Sequence, residues 1–163
     1  MRALALALLL VLGGCGLRPL YGGGGGGKVS QMLNQIDVAP IEGQAGWLVS
    51  NAMRDQLGRA GTTPLYRLEV KLDDRISGLG VRRDDTVTRE RRILRARYQL
   101  IDLSNGTVLL DATAGYDAGI DVVGSEYATI AAENTTLERL SKIVADQIVA
   151  RVALYAERAG KEQ

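Results

Sequence analysis

Three segments in which apolar and polar residues alternate constrain the fold of this 163-residue chain more than any other feature. They lie at residues 66–73, 94–100 and 108–116, and Asn105-Gly106 between the last two is typical of a tight hairpin turn. Side chains along a strand point alternately to opposite faces, so each segment has one apolar and one polar face. The pattern predicts an antiparallel sheet covered on one side only. The residues expected to face the core are Tyr66, Leu68, Val70, Leu72, Leu94, Ala96, Tyr98, Leu100, Val108, Leu110, Ala112, Ala114 and Tyr116.

The segments around these strands add a short strand and two helices. Residues 36–40 alternate like a strand, and Gly43–Gly61 has the apolar spacing of an amphipathic helix with its last glycine as the stop. Trp47, the only tryptophan, is expected to anchor that helix in the core. Gly78-Leu79-Gly80 is interpreted as a bend between strands, and residues 125–158 predict a long C-terminal helix.

The order β-α-β-β-β-α predicts the architecture. We expect an α+β fold, a two-layer sandwich in which about four strands form a largely antiparallel sheet with two helices packed on one face. The length fits a single domain over residues 34–159, followed by a disordered tail at 160–163.

The composition excludes several classes of function. With no histidine and one cysteine, the chain cannot form a Cys/His metal cluster, a Ser-His-Asp triad or a disulfide framework. No carboxylate pair stands out as an acid/base couple, so we expect no catalytic residues, no cofactor and no metal. A formal net charge of +1 argues against nucleic acid as a partner.

The first fifteen residues predict export and lipidation. Met1-Arg2 precedes the apolar run Ala3–Leu12, which is too short to span a membrane and is typical of a signal peptide over residues 1–14. The run ends in Gly13-Gly14-Cys15, which resembles a bacterial lipobox with an acylated cysteine. The alternative is an ordinary thiol beside a signal-peptidase site. Gly16 follows, rather than the Asp that retains many lipoproteins at the inner membrane, so we expect an outer-membrane location.

A run of glycines follows the cysteine. Gly22–Gly27 with Lys28 matches the G-x-x-x-x-G-K pattern of a phosphate loop, but Val29 occupies the position of the required Ser or Thr. Glycine-rich segments behave as flexible linkers. We therefore interpret residues 15–33 as a lipidated N-terminus and a tether.

Arginines cluster in one part of the chain. Seven of the sixteen lie between Arg82 and Arg97. Arg89, Arg91, Arg95 and Arg97 share one parity, so they would project from the same sheet face and could bind phosphate groups. The alternative, which we weigh evenly, is a solvated outer face of an edge strand.

Three segments carry a resemblance to a known family. They are Cys15-Gly16-Leu17-Arg18-Pro19-Leu20-Tyr21, Tyr127-Ala128-Thr129-Ile130-Ala131-Ala132-Glu133 and Ile148-Val149-Ala150-Arg151-Val152-Ala153-Leu154-Tyr155. They are similar to segments of the lipopolysaccharide-assembly lipoproteins of the LptE family, of the alphaproteobacterial type.

The resemblance implies a lipid-anchored, periplasm-facing lipoprotein of the outer membrane. It would plug an LptD-like outer-membrane β-barrel, deliver lipopolysaccharide to the outer leaflet and have no catalytic residues. The family's ligand contacts do not align as a motif here, so the assignment of the arginines rests on the residues alone. The alternative is a free-standing lipoprotein that binds an anionic ligand without a barrel partner.

Overall fold

The structure, a computed structural model, describes most of the chain after the glycine run. The described residues are 27–58, 63–81, 87–122 and 124–160. The predictions for the signal peptide, Cys15, the glycines before Gly27 and residues 161–163 lie outside them, as do Arg82 and Arg83.

Four strands and three helices make up the described residues. In chain order they are α1 (Lys28–Leu33), β1 (Ile36–Val38), α2 (Gly43–Leu57), β2 (Tyr66–Val81), β3 (Val87–Asp102), β4 (Val108–Asp121) and α3 (Glu126–Ala159). The strands form one sheet in the order β1-β2-β3-β4, with β1 parallel to β2 and the other neighbours antiparallel. This confirms the predicted α+β fold with a largely antiparallel sheet.

A single core lies between the sheet and the helices. On the strands it consists of the inward residues that alternation predicts, among them Leu68, Leu94, Tyr98 and Leu100, all almost fully buried. The long helix α3 supplies a stripe opposite them, consisting of Leu137, Leu140, Val144, Ala145, Ile148, Val149, Val152 and Ala153. Burial of these apolar side chains is the main source of stability of the fold.

Two helix boundaries differ from the sequence-based prediction. Residues 28–33, assigned to the tether, form α1, and Leu33 at its end belongs to the core. Helix α2 ends at Leu57, before the predicted stop at Gly61, because Gly58 adopts a positive φ of 80° that favours glycine. A Cβ atom at Gly58 would lie 2.7 Å from Oδ1 of Asn34, so the Asn34 side chain would have to move to admit one.

Trp47 does not anchor α2 in the core, and that prediction is wrong. Its side chain is 64% exposed, whereas Gly46, Val49 and Met53 form the buried side of the helix. Consecutive helical residues are rotated by about 100°, so the residue after Gly46 leaves the buried side.

Two predictions for the strands also require correction. Gly78-Leu79-Gly80 is not a bend, since β2 continues through it and pairs with the first half of β3. Val108 does not face the core, because a bulge shifts the register: Leu100 lies opposite Leu110, but Ile101 lies opposite Val108. The extra residue moves Val108 to the outer face, where it is exposed.

Tyr116 keeps the inward parity that the pattern predicts, opposite Leu94, but it is not buried. It stands on β4, the edge strand of the sheet, and is 52% exposed. In the part of the chain described here, no helix combines the length and the apolar character needed to cross a membrane.

Candidate ligand-binding face

The four arginines selected from the sequence lie together on the outer face of β3. Leu94, Ala96 and Tyr98 point toward the helices, so residues of the opposite parity point away from them. Arg89, Arg91, Arg95 and Arg97 are all exposed on that side. The predicted row of guanidinium groups on one sheet face is therefore present.

Three of these arginines form ion pairs with aspartates of β4. Nη2 of Arg97 lies 2.9 Å from Oδ2 of Asp111, Nε of Arg91 lies 2.9 Å from Oδ2 of Asp117, and Nε of Arg89 lies 3.3 Å from Oδ1 of Asp121. The sequence pattern did not predict these aspartate partners. Their pairing offsets most of the excess positive charge in this part of the chain.

The pairs change the acidity of their members. Hydrogen bonds from Arg97 and then Gln99 hold the pKa of Asp111 below its usual range. The hydrogen bond to Asp117 raises the pKa of Arg91. Both pairs are open to water, where such contacts contribute little to stability and exchange readily for another anion.

Arg95 differs from the other three. Its neighbour on β4 is Gly115, and on β2 it is Asp73, whose carboxylate accepts a hydrogen bond from Arg75 at 2.8 Å. Among the described residues Arg95 has no ion-pair partner. A Cβ atom at Gly115 would lie 3.1 Å from Cγ of Arg95, so the glycine leaves the space that the arginine stem occupies.

An open groove of about 740 Å³ surrounds this unpaired cation. Ile93 and Gly115 contribute apolar surface, and Arg91, Arg95 and Arg97 contribute positive charge. The carboxylates of Asp73 and Asp117, each hydrogen-bonded to an arginine, also line the groove. A groove of this kind can hold a phosphorylated ligand. Arg95 can bind a phosphate group without first breaking an ion pair with a carboxylate.

A second charged cluster, which sequence reasoning missed, lies on the opposite face. Arg92 is buried against Asp74 through two hydrogen bonds of 2.6 and 2.9 Å, and its Nη1 donates to the carbonyl oxygen of Glu133 in α3 at 3.0 Å. Glu90 lies beside Glu133. The sequence did contain an indication of this cluster. Along a strand, the charged residues at positions 90 and 92 point to the same inward face as Leu94.

The structure brings Glu90 and Glu133 together, although no carboxylate pair was predicted. Burial and the neighbouring carboxylate of Glu133 raise the pKa of Glu90. Oε2 of Glu90 is buried and has no hydrogen-bond partner among the described residues. Within the described residues, no group of three or more potential ligands from His, Cys, Asp and Glu could hold a metal ion.

Comparison with known proteins identifies relatives of this fold. The profile of the LptE family, described as lipopolysaccharide-assembly, matches residues 33–152. No curated protein matches the chain. Among solved structures, a lipoprotein from Caulobacter crescentus is 22% identical with a TM-score of 0.66, and the match covers 80% of this chain and 98% of that one.

Two further structures share the fold at lower identity. Rare lipoprotein B from Shewanella oneidensis is 12% identical with a TM-score of 0.55, over 78% of this chain and 98% of the other. A minor lipoprotein from Acinetobacter baumannii is 12% identical with a TM-score of 0.58, over 74% of this chain and 92% of the other. At these identities the likeness concerns the fold.

Proposed function

The chain belongs to the LptE family of lipopolysaccharide-assembly proteins, and we propose that it acts as a non-enzymatic plug inside an LptD-like outer-membrane β-barrel. The family acts in lipopolysaccharide assembly, and its members are lipoproteins of the outer membrane. In the proposal, acyl chains on Cys15 hold the protein at the periplasmic side of that membrane. The observation that carries the proposal is the family match, which extends from the end of α1 into the second half of α3.

The outer face of the sheet supports the placement inside a barrel. The lumen of a large outer-membrane barrel is polar, so a protein seated there must present a polar surface. The outer face meets that requirement with cations and anions side by side, as in the pairs of Arg97 with Asp111 and Arg91 with Asp117. The opposite face is already covered by α2 and α3.

We further propose that Arg89, Arg91, Arg95 and Arg97 bind the phosphates of lipopolysaccharide. Arg95 would form the first contact, because it has no carboxylate partner among the described residues. The three paired arginines would exchange an aspartate for a phosphate oxygen. Charge-assisted hydrogen bonds of this type are short and strong where water is excluded, and weaker on an open face.

Co-purification tests the plug. The tagged full-length protein is extracted from membranes in mild detergent, and we expect a large outer-membrane protein to elute with it in a one-to-one ratio. Cys15→Ala removes the acylated thiol, so this variant should remain unprocessed or soluble and recover much less of the partner. Recovery of the wild-type lipoprotein alone would instead support the free-standing alternative.

Charge reversal tests the arginines. Arg91→Glu with Arg95→Glu should weaken binding of purified lipopolysaccharide, most strongly at low salt, because screening weakens the contacts at high salt. The matched control is Arg67→Glu with Arg139→Glu, which makes the same charge change at two exposed positions that do not line the groove. Equal binding by both folded double variants would reject the arginine site and leave the family assignment intact.

A further inference from the structure

A second pocket lies at the free edge of the sheet, between β4 and α3. Its volume is about 450 Å³, and it is lined by Tyr98, Ala112, Thr113, Ala114, Gln147 and Arg151. The two alanines are short side chains on the inward face of β4, so they leave an opening between this strand and the helix. None of the lining residues is acidic.

Tyr98 forms the inner end of this pocket. Its side chain is 2% exposed, and its hydroxyl group, which has no hydrogen-bond partner among the described residues, is open to the pocket rather than fully buried. A hydroxyl group that reaches solvent through an opening can hydrogen-bond to water, and a ligand oxygen can take the place of that water. Burial raises the pKa of Tyr98 and the charge of Arg151 partly offsets this change, so the hydroxyl is a donor at neutral pH.

Gln147 and Arg151, one helical turn apart on α3, form the outer end of the pocket. Oε1 of Gln147 accepts a hydrogen bond of 3.1 Å from the backbone N–H of Gly115, on the free edge of β4. That bond fixes the orientation of the carboxamide and leaves its NH₂ group available to donate. Arg151 is exposed and forms no ion pair within the part of the chain that the structure describes.

The geometry points to an anion-binding site in this pocket that takes a phosphate group, with donors from Tyr98, Gln147 and Arg151. The described residues that line the pocket offer one guanidinium group, one carboxamide and one phenol, and none of them is a carboxylate that would repel an anion. Guanidinium groups match phosphate oxygens in pairs.

The site is separate from the arginine row but adjoins it. Thr113, Ala114 and Gln147 line both this pocket and the groove of Arg95, so the two cavities meet at the edge of β4. A phosphate group there can come from free inorganic phosphate or from a phosphorylated glycolipid. The inference does not depend on the barrel or on the binding of lipopolysaccharide to the outer face.

Titration with phosphate tests the site. The full-length mature protein in detergent micelles is titrated with inorganic phosphate and, separately, with lipopolysaccharide, and NMR follows the side-chain amide of Gln147 and the backbone amide of Gly115. We expect both signals to shift. Arg151→Gln should weaken phosphate binding by about tenfold or more, and Tyr98→Phe by about threefold to tenfold, because each removes one charge-assisted contact.

The matched control is Arg139→Gln, which removes the same charge from an exposed position of the same helix. It should change the affinity by less than about twofold, since screening weakens distant charges. Shifts with lipopolysaccharide alone, lost in Tyr98→Phe, would support the site and identify the lipid as the source. If neither ligand shifts the two amides, or if all folded variants bind equally, the pocket is not an anion site.

Discussion

Arg91 and Arg92 are neighbours in the sequence, and each pairs with an aspartate on an adjacent strand, yet the two pairs have different surroundings. The side chains of Arg91 and Asp117 are 45% and 47% exposed and share one hydrogen bond of 2.9 Å. Those of Arg92 and Asp74 are 11% and 25% exposed and share two hydrogen bonds, and Arg92 also donates to α3.

The difference shows that burial decides what an arginine–aspartate pair does. On the outer face water competes for both ions, so the pair of Arg91 contributes little to stability and can exchange for a ligand. On the inner face the ions have lost most of their water, so removing one ion leaves the other buried without a partner. Arg92 thereby holds the first half of α3 on the sheet, where the helix buries few apolar side chains.

The largest expected effect comes from breaking the inner pair. Arg92→Ala leaves Asp74 without its partner and removes the hydrogen bond to Glu133, so we expect the free energy of unfolding to fall by about 2–3 kcal/mol. Urea denaturation at neutral pH measures it.

A double variant sharpens this result. Arg92→Met with Asp74→Leu removes both charges and keeps similar volumes, so it should restore most of the lost stability. If the double variant is as unstable as Arg92→Ala, the lost hydrogen bond to Glu133 in α3 accounts for the loss of stability, and the unpaired carboxylate of Asp74 does not.

The same truncation on the outer face should have a much smaller effect on folding. Arg91→Ala leaves Asp117 in water, so the urea midpoint should stay within experimental error of the wild type at low and at high salt. A drop comparable to that of Arg92→Ala would contradict the comparison of the two faces.

A small effect that depends on pH is expected at Glu90. Its pKa is raised in the folded protein, so its contribution to stability is fully present below the unfolded value of about 4.5 and is lost as the pH rises through the folded value. Glu90→Gln should therefore stabilise the protein slightly at pH 7 and have no such benefit near pH 4. Urea denaturation at both pH values measures the difference, and a benefit of equal size at the two would show that ionisation of Glu90 is not its cause.

The sequence predicted the outer position of the arginines but not their partners. Parity along β3 is a local property, and it was sufficient to put Arg91 and Arg95 on one face. Their pairing with aspartates depends on the register between β3 and β4. That register cannot be obtained by counting residues outward from the turn at Asn105-Gly106, because the bulge near Ile101 changes it by one residue. The same bulge explains the error at Val108.

Alternation of polarity determined the strands, the two faces of the sheet and the α+β class, because the geometry of an extended chain fixes a period of two wherever the strand pairs. Composition likewise limited the chemistry of the chain. Only the tertiary structure decided that Trp47 is exposed, that Arg95 has no carboxylate partner among the described residues and that Tyr98 ends in a pocket beside Arg151. Each of these depends on which segments meet, and residues distant in the chain meet through long-range packing that local patterns do not encode.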